Sequence, residues 1–246
     1  MFFRLKGVTV GMKKASIHLL VLCLCWLFGC SSTNSPTTNL GGVSNLSGWI
    51  VPSKESRYVY RIMNQAHGSS AIQTLFDTVV IVDAGLSRFG KSGVVACADA
   101  TGLTYYHYES NGDLSQIDST TPNAWKVFPT SGGPTVTDVT VDSNLSSMTH
   151  YHSAGQRLYV GKESVGLLAT SYSSLHVLET QAQSYMDSSH TSYDSTLAST
   201  DYWFVPSVGT FGKQIYDYSV RNRTANGIYS ESGSRSTIEL IGYYPK

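Results

Sequence analysis

Cysteine, charge and long apolar runs are all scarce in this chain of 246 residues, and each shortage excludes a class of protein. Of the 4 cysteines only Cys97 lies beyond residue 30, so a fold held together by several disulfides is excluded. Charged residues make up 14% of the chain and the formal net charge is 0. A nucleic-acid binder needs a basic excess to neutralise phosphates, so we expect no nucleic-acid partner.

The motifs of common hydrolases are missing from the sequence as well. It contains neither the G-x-S-x-G turn of serine hydrolases nor the H-E-x-x-H motif of zinc peptidases. No closely spaced pair of carboxylates suggests glycoside hydrolysis, although such partners can be far apart in sequence. We therefore expect a protein that is not an enzyme and that carries no cofactor.

The first thirty residues have the order of an export signal. Lys13-Lys14 precede a stretch from Ile17 to Phe28 that is almost entirely apolar, and the small residue Gly29 follows. A membrane-spanning helix needs roughly 20 apolar residues, which is more than this stretch supplies. A cleaved signal is therefore favoured over a transmembrane helix, and Met12 is an alternative start because it directly precedes the two lysines.

Leu27-Phe28-Gly29-Cys30 resembles the lipobox of bacterial lipoproteins, in which an apolar residue and two small or apolar residues precede the modified cysteine. The resemblance implies cleavage by the type II route after Gly29 and acylation of Cys30 by fatty acids such as palmitate. Each buried methylene of an acyl chain contributes about 0.8 kcal/mol to membrane binding, so several chains make a lasting anchor. Ser31 follows the cysteine, and in the sorting pattern of such lipoproteins a serine there goes with the outer membrane.

Three segments follow from this signal. Residues 1–29 are predicted to be the signal peptide, 30–48 the lipidated cysteine with a flexible tether rich in Ser, Thr, Asn and Gly, and 49–246 a single domain. The signal removes four basic and no acidic side chains, so the net charge falls from 0 to about −4. The expected location is the cell envelope, with the membrane as a partner through Cys30.

From Trp49 onward the pattern predicts β-structure, because no stretch sustains an apolar period of 3.6 residues over three turns. Tyr216, Tyr218 and Val220 alternate with polar residues, as on a half-buried strand. Further strands are predicted over Tyr58–Gln65, Leu75–Asp83, Val94–Ala98, Leu103–Glu109, Leu114–Ile117, Trp125–Phe128, Thr135–Val141, Met148–His152, Leu158–Lys162, Leu167–Ala182, Tyr202–Val205, Ile215–Arg223, Ile228–Glu231 and the C-terminus. A short helix is predicted over Ser69–Thr74.

Asn111-Gly112 and Asn226-Gly227 lie between such runs and are predicted hairpin tips, because Asn and Gly tolerate the positive φ of tight turns. About a dozen strands with short connections indicate an all-β domain. We expect a single antiparallel, strongly curved sheet, arranged as an open half-barrel or a sandwich.

The segment Gly85–Ser92 matches the phosphate-binding pattern G-x-x-x-x-G-K-[ST]. A working loop of this kind must lead into a helix whose N-terminus faces the phosphates. Here Val94–Ala98 follows, which favours a strand. We therefore interpret the segment as a glycine-rich loop between two antiparallel strands and expect no nucleotide.

His150 and His152 are weak candidates for metal ligands. They are two residues apart, so on a strand both imidazoles point to one face. A metal site needs a third and usually a fourth ligand. Candidates for these are His107, His176, Asp138 and Asp142. The favoured interpretation is that these histidines are exposed polar residues and that the protein holds no metal.

Tyrosine is abundant, with 16 residues, and the default role of such rings is packing across antiparallel strands. The functional alternative is an aromatic-lined groove for a sugar or a lipid. Tyr159–Val165, Tyr202–Gly209 and Asn111–Leu114 are similar to segments of β-rich exported lipoproteins of unassigned function. More distantly they resemble the half-barrels of lipoprotein carriers, which implies a curved sheet able to hold an acyl chain.

The leading hypothesis is a membrane-anchored, exported lipoprotein whose non-enzymatic β domain binds an apolar small ligand or an envelope protein, or serves as a structural component. The first alternative is a carrier of acyl chains or lipoproteins that uses the inside of a curved sheet. The second is a metal-dependent hydrolase built on His150 and His152.

Overall fold

The computed structural model describes residues 48–118, 125–146, 149–187, 193–223 and 229–246. All regular structure in these residues is β. The strands are β1 (Arg57–Ala66), β2 (Ile72–Arg88), β3 (Lys91–Ala98), β4 (Leu103–Tyr108), β5 (Leu114–Asp118), β6 (Lys126–Phe128), β7 (Val136–Ser146), β8 (Thr149–Leu167), β9 (Thr170–Asp187), β10 (Tyr193–Val205), β11 (Thr210–Arg223) and β12 (Tyr229–Tyr244). The predicted all-β class is confirmed.

The twelve strands form one antiparallel sheet in the order β6-β5-β4-β3-β2-β1-β12-β11-β10-β9-β8-β7. Successive strands along the chain are neighbours, and β1 pairs with β12 to join the two halves. The sheet curls into a nearly closed, barrel-like form, which decides between the expected arrangements in favour of a single curved sheet. β6 and β7 are its two outermost strands.

Most predicted strands overlap observed ones, but the predicted strand Leu167–Ala182 crosses the β8–β9 turn, and the part of β10 before Tyr202 was not predicted. The predicted strand Met148–His152, apart from Met148, which lies outside the described residues, and the predicted strand Leu158–Lys162 are parts of one strand, β8, which is 19 residues long. The helix predicted over Ser69–Thr74 is wrong, because a turn follows Ala66 and β2 begins at Ile72. The backbone pairing of β2 with β1 extends as far as Ile72 and outweighs the local helix preference of this segment.

The interior of the sheet is filled by large side chains from both halves. Trp49 packs against Tyr108 and Phe204, with ring centroids 5.5 and 6.1 Å away, and its Nε1 donates to the Gly112 carbonyl at 3.0 Å. Cys97 is 2% exposed and belongs to this core. The largest fully buried side chains are Tyr58, Tyr60, Tyr106, Tyr108, Phe128, Phe204, Phe211, Ile81, Leu114, Ile238 and Leu240.

The two halves of the sheet differ in length, and this leaves part of its inner face uncovered. Strands β8, β9 and β12 have 19, 18 and 16 residues, whereas β5 and β6 have 5 and 3. β2 pairs with β1 over Ile72–Val80 and with β3 only from Val80 onward. Beyond the packed core the sheet therefore continues as an open, curved extension made of β7–β12, β1 and the first half of β2.

The phosphate-loop pattern at Gly85–Ser92 forms the tip of the β2–β3 hairpin, as interpreted from the sequence. Arg88 pairs with Lys91, and the two turn residues Phe89 and Gly90 have φ values of +50° and +75°. Two successive positive φ values are typical of a type I′ turn. The chain continues into β3 rather than into a helix, so the geometry that cradles a phosphate is not formed here.

Asn111-Gly112 lies in the β4–β5 turn, as predicted, and Gly112 has a φ of +95°. The Asn226-Gly227 pair lies outside the described residues. Its flanking strands β11 and β12 are paired antiparallel up to Arg223 and Tyr229, and the tip itself stays a prediction.

Candidate functional site

Charge is confined to one face of the paired strands β11 and β12. Gln214 and Ile238 lie opposite each other and are buried on the inner, concave face, so even-numbered residues of both strands share that face. All charged residues of the two strands are odd-numbered and lie on the outer, convex face. They are Lys213, Asp217, Arg221, Arg223, Glu231, Arg235 and Glu239. The concave face along these strands is uncharged.

Two tyrosines mark the point where this concave face passes from the core to solvent. The rings of Tyr216 and Tyr218 are stacked, with centroids 5.5 Å apart and an interplanar angle of 29°, and both are half-buried. Thr200 and Ser236 face Tyr216 from the neighbouring strands, and Ser234 faces Tyr218. We call the uncharged surface around the tyrosine pair, with Asn64 and Gln214, the concave trough.

Several buried polar atoms of the concave trough have no hydrogen-bond partner among the described residues. They are Nδ2 of Asn64, Oγ of Ser234 and both amide atoms of Gln214, whose side chain is 0% exposed. The Oδ1 atom of Asn64 is occupied, because the Ser236 hydroxyl donates to it at 2.6 Å. An unsatisfied buried polar group costs about 1–3 kcal/mol, so a cluster of them points to water or a ligand in the working protein.

A buried charged cluster lies at the base of the concave trough. Lys126 Nζ donates to Glu179 Oε2 at 2.6 Å, and the Tyr202 hydroxyl donates to the same oxygen at 2.9 Å. Arg157, which is 3% exposed, donates to Glu179 Oε1 at 3.2 Å and to the Val127 carbonyl at 2.5 Å. Since Lys126 and Val127 belong to β6 and Arg157 to β8, this cluster joins the two outer regions of the sheet.

The pKa directions in this cluster follow from burial and pairing. Burial raises the pKa of Glu179, but the charge of Lys126 and its hydrogen bond outweigh it and hold the pKa below the ordinary value. Burial lowers the pKa of Lys126 against the opposing effect of Glu179. Burial, with Glu179 nearby, raises the pKa of Tyr202 well above its ordinary value. Tyr202 is therefore a neutral donor and Glu179 an anion at neutral pH.

A second row of polar side chains crosses the convex face. His176, Trp203, Lys213, Glu239 and Arg61 are successive partners on five neighbouring strands. The His176 ring stacks on one side of Trp203 at 4.6 Å, and Lys213 Nζ lies 5.8 Å from the indole centroid. Glu239 lies 2.7 Å from Arg61 and 3.6 Å from Lys213. With partners already in place, this row is interpreted as a structural ladder.

Carboxylates bind both nitrogens of His176. Nδ1 lies 2.8 Å from Glu163 and Nε2 lies 2.8 Å from Asp201. The Trp203 indole donates to the other oxygen of Glu163 at 2.7 Å. The hydrogen bonds from Trp203 and then from His176 lower the pKa of Glu163.

His107 belongs to a third cluster, on the outer side of β3–β5. Its Nε2 lies 3.4 Å from Glu109, which also pairs with Lys91 and accepts from Ser115 at 2.5 Å. Burial raises the pKa of Glu109, and the hydrogen bonds from Lys91 and Ser115 bring it below the ordinary value. Burial lowers the pKa of His107. The carboxylate here lies between serine and histidine, which is not the order of a catalytic triad, where histidine is central.

Grooves also lie on the surface of the described part of the chain. One of about 430 Å³ lies between the β8–β9 turn and the convex face, near Arg61 and Ile241. Another, of about 710 Å³, runs over small residues of β8–β11 beside His67. His67 Nε2 already pairs with Asp217 at 2.9 Å. We favour the concave trough over the grooves, because its polar groups still lack partners.

The residues predicted as site candidates are not brought together in the described part of the chain. Cys30 lies outside the described residues. His150 and His152 are two apart on β8, opposite Met186 and Ser184, and their side chains are not among those described. His107 and His176 are in separate clusters, and Asp138 pairs with Arg157 at 2.5 Å. Asp142 also lies among the undescribed side chains. Among the described residues no group of three His, Cys, Asp or Glu is arranged to hold a metal ion.

Of the tyrosine-rich segments, Tyr106, Tyr108 and Tyr202 are core residues, whereas Tyr216 and Tyr218 reach solvent on the concave face. Asn64, Ser234 and Gln214 were missed by sequence reasoning. The signal that could have found the last two is the restriction of charge to odd positions in β11 and β12. Asn64 joins them only through the pairing of β1 with β12.

No helix in the portion of the chain that the structure covers is long and apolar enough to cross a membrane. No protein-family model matches the sequence, and no curated protein matches it.

Three solved structures are similar to this chain. A protein named as exported and of YmcC-like fold, from Bacteroides fragilis NCTC 9343, has 12% identity and a TM-score of 0.38, covering 79% of this chain and 98% of its own. A protein named as a lipoprotein, from Parabacteroides distasonis ATCC 8503, has 9% identity and a TM-score of 0.39 over 78% and 96%. The hypothetical lipoprotein YmcC from Escherichia coli K12 has 10% identity and a TM-score of 0.32 over 77% and 86%. Likeness at this level supports no statement about the function of this chain.

Proposed function

We propose that the protein is an exported, lipid-anchored envelope protein whose β domain is not an enzyme. The β domain binds an oligosaccharide, an uncharged ligand rich in hydroxyl and amide groups, in the concave trough. The observation that carries this proposal is the coincidence of the uncharged concave face of β11 and β12, a tyrosine pair at its opening and unpartnered polar atoms beside the pair. The anchor is proposed at Cys30, in the outer membrane, from the lipobox resemblance.

The chemistry of the concave trough matches a saccharide in two ways. The faces of sugar rings carry C–H groups that pack on aromatic rings, and Tyr216 and Tyr218 offer such rings at the solvent boundary. Asn64 and Ser234 supply a side-chain amide and a hydroxyl, which fix the orientation of a ligand through directed hydrogen bonds. The amide of Gln214 lies deeper on the same face.

Two other ligand classes fit less well. An extended peptide needs free backbone groups, but β10, β11 and β12 are each paired on both sides. An acyl chain needs an apolar lumen, but the inner face is filled by side chains such as Tyr106 and Phe128, and its uncovered part is polar. The carrier alternative is therefore disfavoured.

The binding proposal is tested by calorimetric titration of the full-length protein, held in lipid nanodiscs, with the N-acetylglucosamine tetramer as the probe. We expect saturable binding that is lost in Tyr216→Ala and retained in Tyr229→Ala, a matched tyrosine that is 70% exposed and lies outside the concave trough. Saturable binding of palmitate in place of the saccharide would favour the carrier, and binding of neither probe would favour a structural role. Either result contradicts the proposal.

The anchor is tested separately by growing cells on a labelled fatty acid. Label should enter the parent protein and be lost in Cys30→Ala. Equal labelling of both proteins would end the anchoring proposal without affecting the binding proposal.

A further inference from the structure

The first half of β2 has an open edge. β2 pairs with β1 along Ile72–Val80, whereas its pairing with β3 begins only at Val80. Within the described residues, the edge of Ile72–Val79 that faces away from β1 is therefore bonded to no strand. An edge of this kind presents unpaired N–H and C=O groups to any extended chain.

The backbone groups that face this edge can be identified from the hydrogen bonds at its end. Ile81 N–H donates to the Ser56 carbonyl at 3.0 Å, and Glu55 N–H donates to the Ile81 carbonyl at 2.8 Å. The backbone of Ile81 is thus directed towards β1. In an antiparallel ladder this direction alternates along the strand, so the backbone groups of even-numbered residues in β2 face the open edge.

The unused donors form one short run. Thr78 N–H is occupied, because it donates to the Asp77 carboxylate at 2.7 Å. The edge donors that remain before it are those of Ile72, Thr74 and Phe76. The open edge is therefore five residues long, from Ile72 to Phe76, and Thr74 is its midpoint.

The edge carries three exposed apolar side chains, besides the polar Gln73 and Thr74. Ile72 is 59% exposed, Phe76 is 67% exposed and Leu75 is 36% exposed. The five residues include no charged residue and no proline. Soluble proteins usually protect an edge with lysine, proline or a bulge, so an edge without these devices is suited to pairing.

We propose that two copies of the chain pair antiparallel through this edge, with Thr74 opposite Thr74 of the partner subunit. In this register Ile72 lies opposite the partner's Phe76 on the convex face. The residues whose backbone groups face the open edge lie opposite each other in the two copies. Ile72, Thr74 and Phe76 of both copies therefore exchange N–H···O=C bonds.

The segment is complementary to itself, which favours a second copy over an unrelated strand. The two most exposed apolar side chains cover each other, and aromatic and β-branched residues opposite each other stabilise a sheet. Asp77 lies just outside the paired segment and keeps its bond to Thr78, so no two carboxylates are brought face to face. A two-fold contact of this kind closes on itself and does not propagate into a fibre.

The register is tested by disulfide trapping in the full-length protein in membranes. In Thr74→Cys the two sulfurs would face each other across the axis, with a Cα separation of about 5.5 Å, which a disulfide can span. The control is Thr78→Cys on the same edge, whose two copies would lie eight residues apart, about 26 Å at 3.3 Å per residue. We expect a dimer of twice the chain mass from Thr74→Cys under oxidation and none above the parent level from Thr78→Cys.

Light scattering of the detergent-solubilised protein supplies an independent readout. The parent should have twice the mass of one chain, and Phe76→Lys should halve it. Leu197→Lys is the matched control, because Leu197 is 50% exposed on a strand paired on both sides, and it should leave the mass unchanged. A monomeric parent, equal trapping at both cysteine positions, or a Thr74→Cys adduct with a different protein would each overturn the proposal.

Discussion

Replacing Glu179 by glutamine is expected to lower the free energy of unfolding strongly, because Glu179 is the carboxylate shared by two buried cations. It binds Lys126 at 2.6 Å and Arg157 at 3.2 Å, and it accepts from Tyr202 at 2.9 Å. Glutamine keeps the size and one acceptor oxygen but removes the negative charge.

The magnitude follows from what each cation retains. Arg157 keeps Asp138 at 2.5 Å and the Val127 carbonyl at 2.5 Å, so its charge stays compensated. Lys126 loses the opposing charge of Glu179, while only 9% of its side chain is exposed. Removing one partner of a buried ion pair costs about 3–5 kcal/mol of stability. Because Arg157 keeps other partners, we expect a loss near the lower end of this range. Against a total stability of about 5–15 kcal/mol, this is a large fraction.

Urea denaturation of the full-length protein, followed by circular dichroism, measures the loss. Glu239→Gln is the matched control, since Glu239 also joins two cations, but these are partly exposed, with 43% of the Arg61 side chain and 31% of the Lys213 side chain accessible to solvent. Exposed pairs contribute about 0–1 kcal/mol, so this variant should be nearly as stable as the parent. A loss of stability in Glu179→Gln no larger than that in Glu239→Gln would show that the buried cluster does not join the two outer regions of the sheet.

Three further perturbations have defined outcomes. Acid should destabilise the fold, because the folded-state pKa of Glu179 is depressed: the stability that its ionised form contributes is present above the unfolded pKa of about 4.3 and is lost as the pH falls through the folded pKa. Urea midpoints at pH 7 and pH 3.5 measure this loss of stability. An equal loss between the two pH values in Glu179→Gln would contradict the prediction. Gly90→Ala should lower the free energy of unfolding by about 1–2 kcal/mol, because Gly90 has a φ of +75°. The control in thermal unfolding is Gly166→Ala, since a Cβ at Gly166 would lie in open space. Equal shifts of the unfolding temperature in the two variants would count against the turn assignment. Gly212→Ala should lower the free energy of unfolding by about 1–3 kcal/mol, because a Cβ at this position overlaps the Leu167 side chain. If adding Leu167→Ala to this variant recovers none of the lost stability, the overlap is contradicted.

Local patterns sufficed to predict most of the strands but not how far they extend. Alternation over Tyr216–Arg223 predicts both the strand and its two faces, because period two is a property of the strand itself. The 19 residues of β8 were divided into two strands, because polar residues such as Gln156 and Arg157 interrupt its apolar pattern. Those residues lie inside a long sheet whose neighbours support them, which local sequence does not reveal.

The polar clusters could not have been predicted from sequence, because they depend on register. Glu179 meets Lys126 across 53 residues of chain, and Asn64 meets Ser236 across 172. One-residue register shifts, such as the bulge between Trp203 and Phe204, decide which side chains share a face. The tyrosine pair was visible in the sequence, but the polar groups beside it were not.

A crystal structure of the protein with the N-acetylglucosamine tetramer tests the central proposal most directly. We expect a sugar ring against Tyr216 and Tyr218, with hydrogen bonds from Asn64 Nδ2 and to or from Ser234 Oγ. A saccharide bound instead in the convex groove beside His67, or a concave trough that stays empty at saturating saccharide, would contradict it.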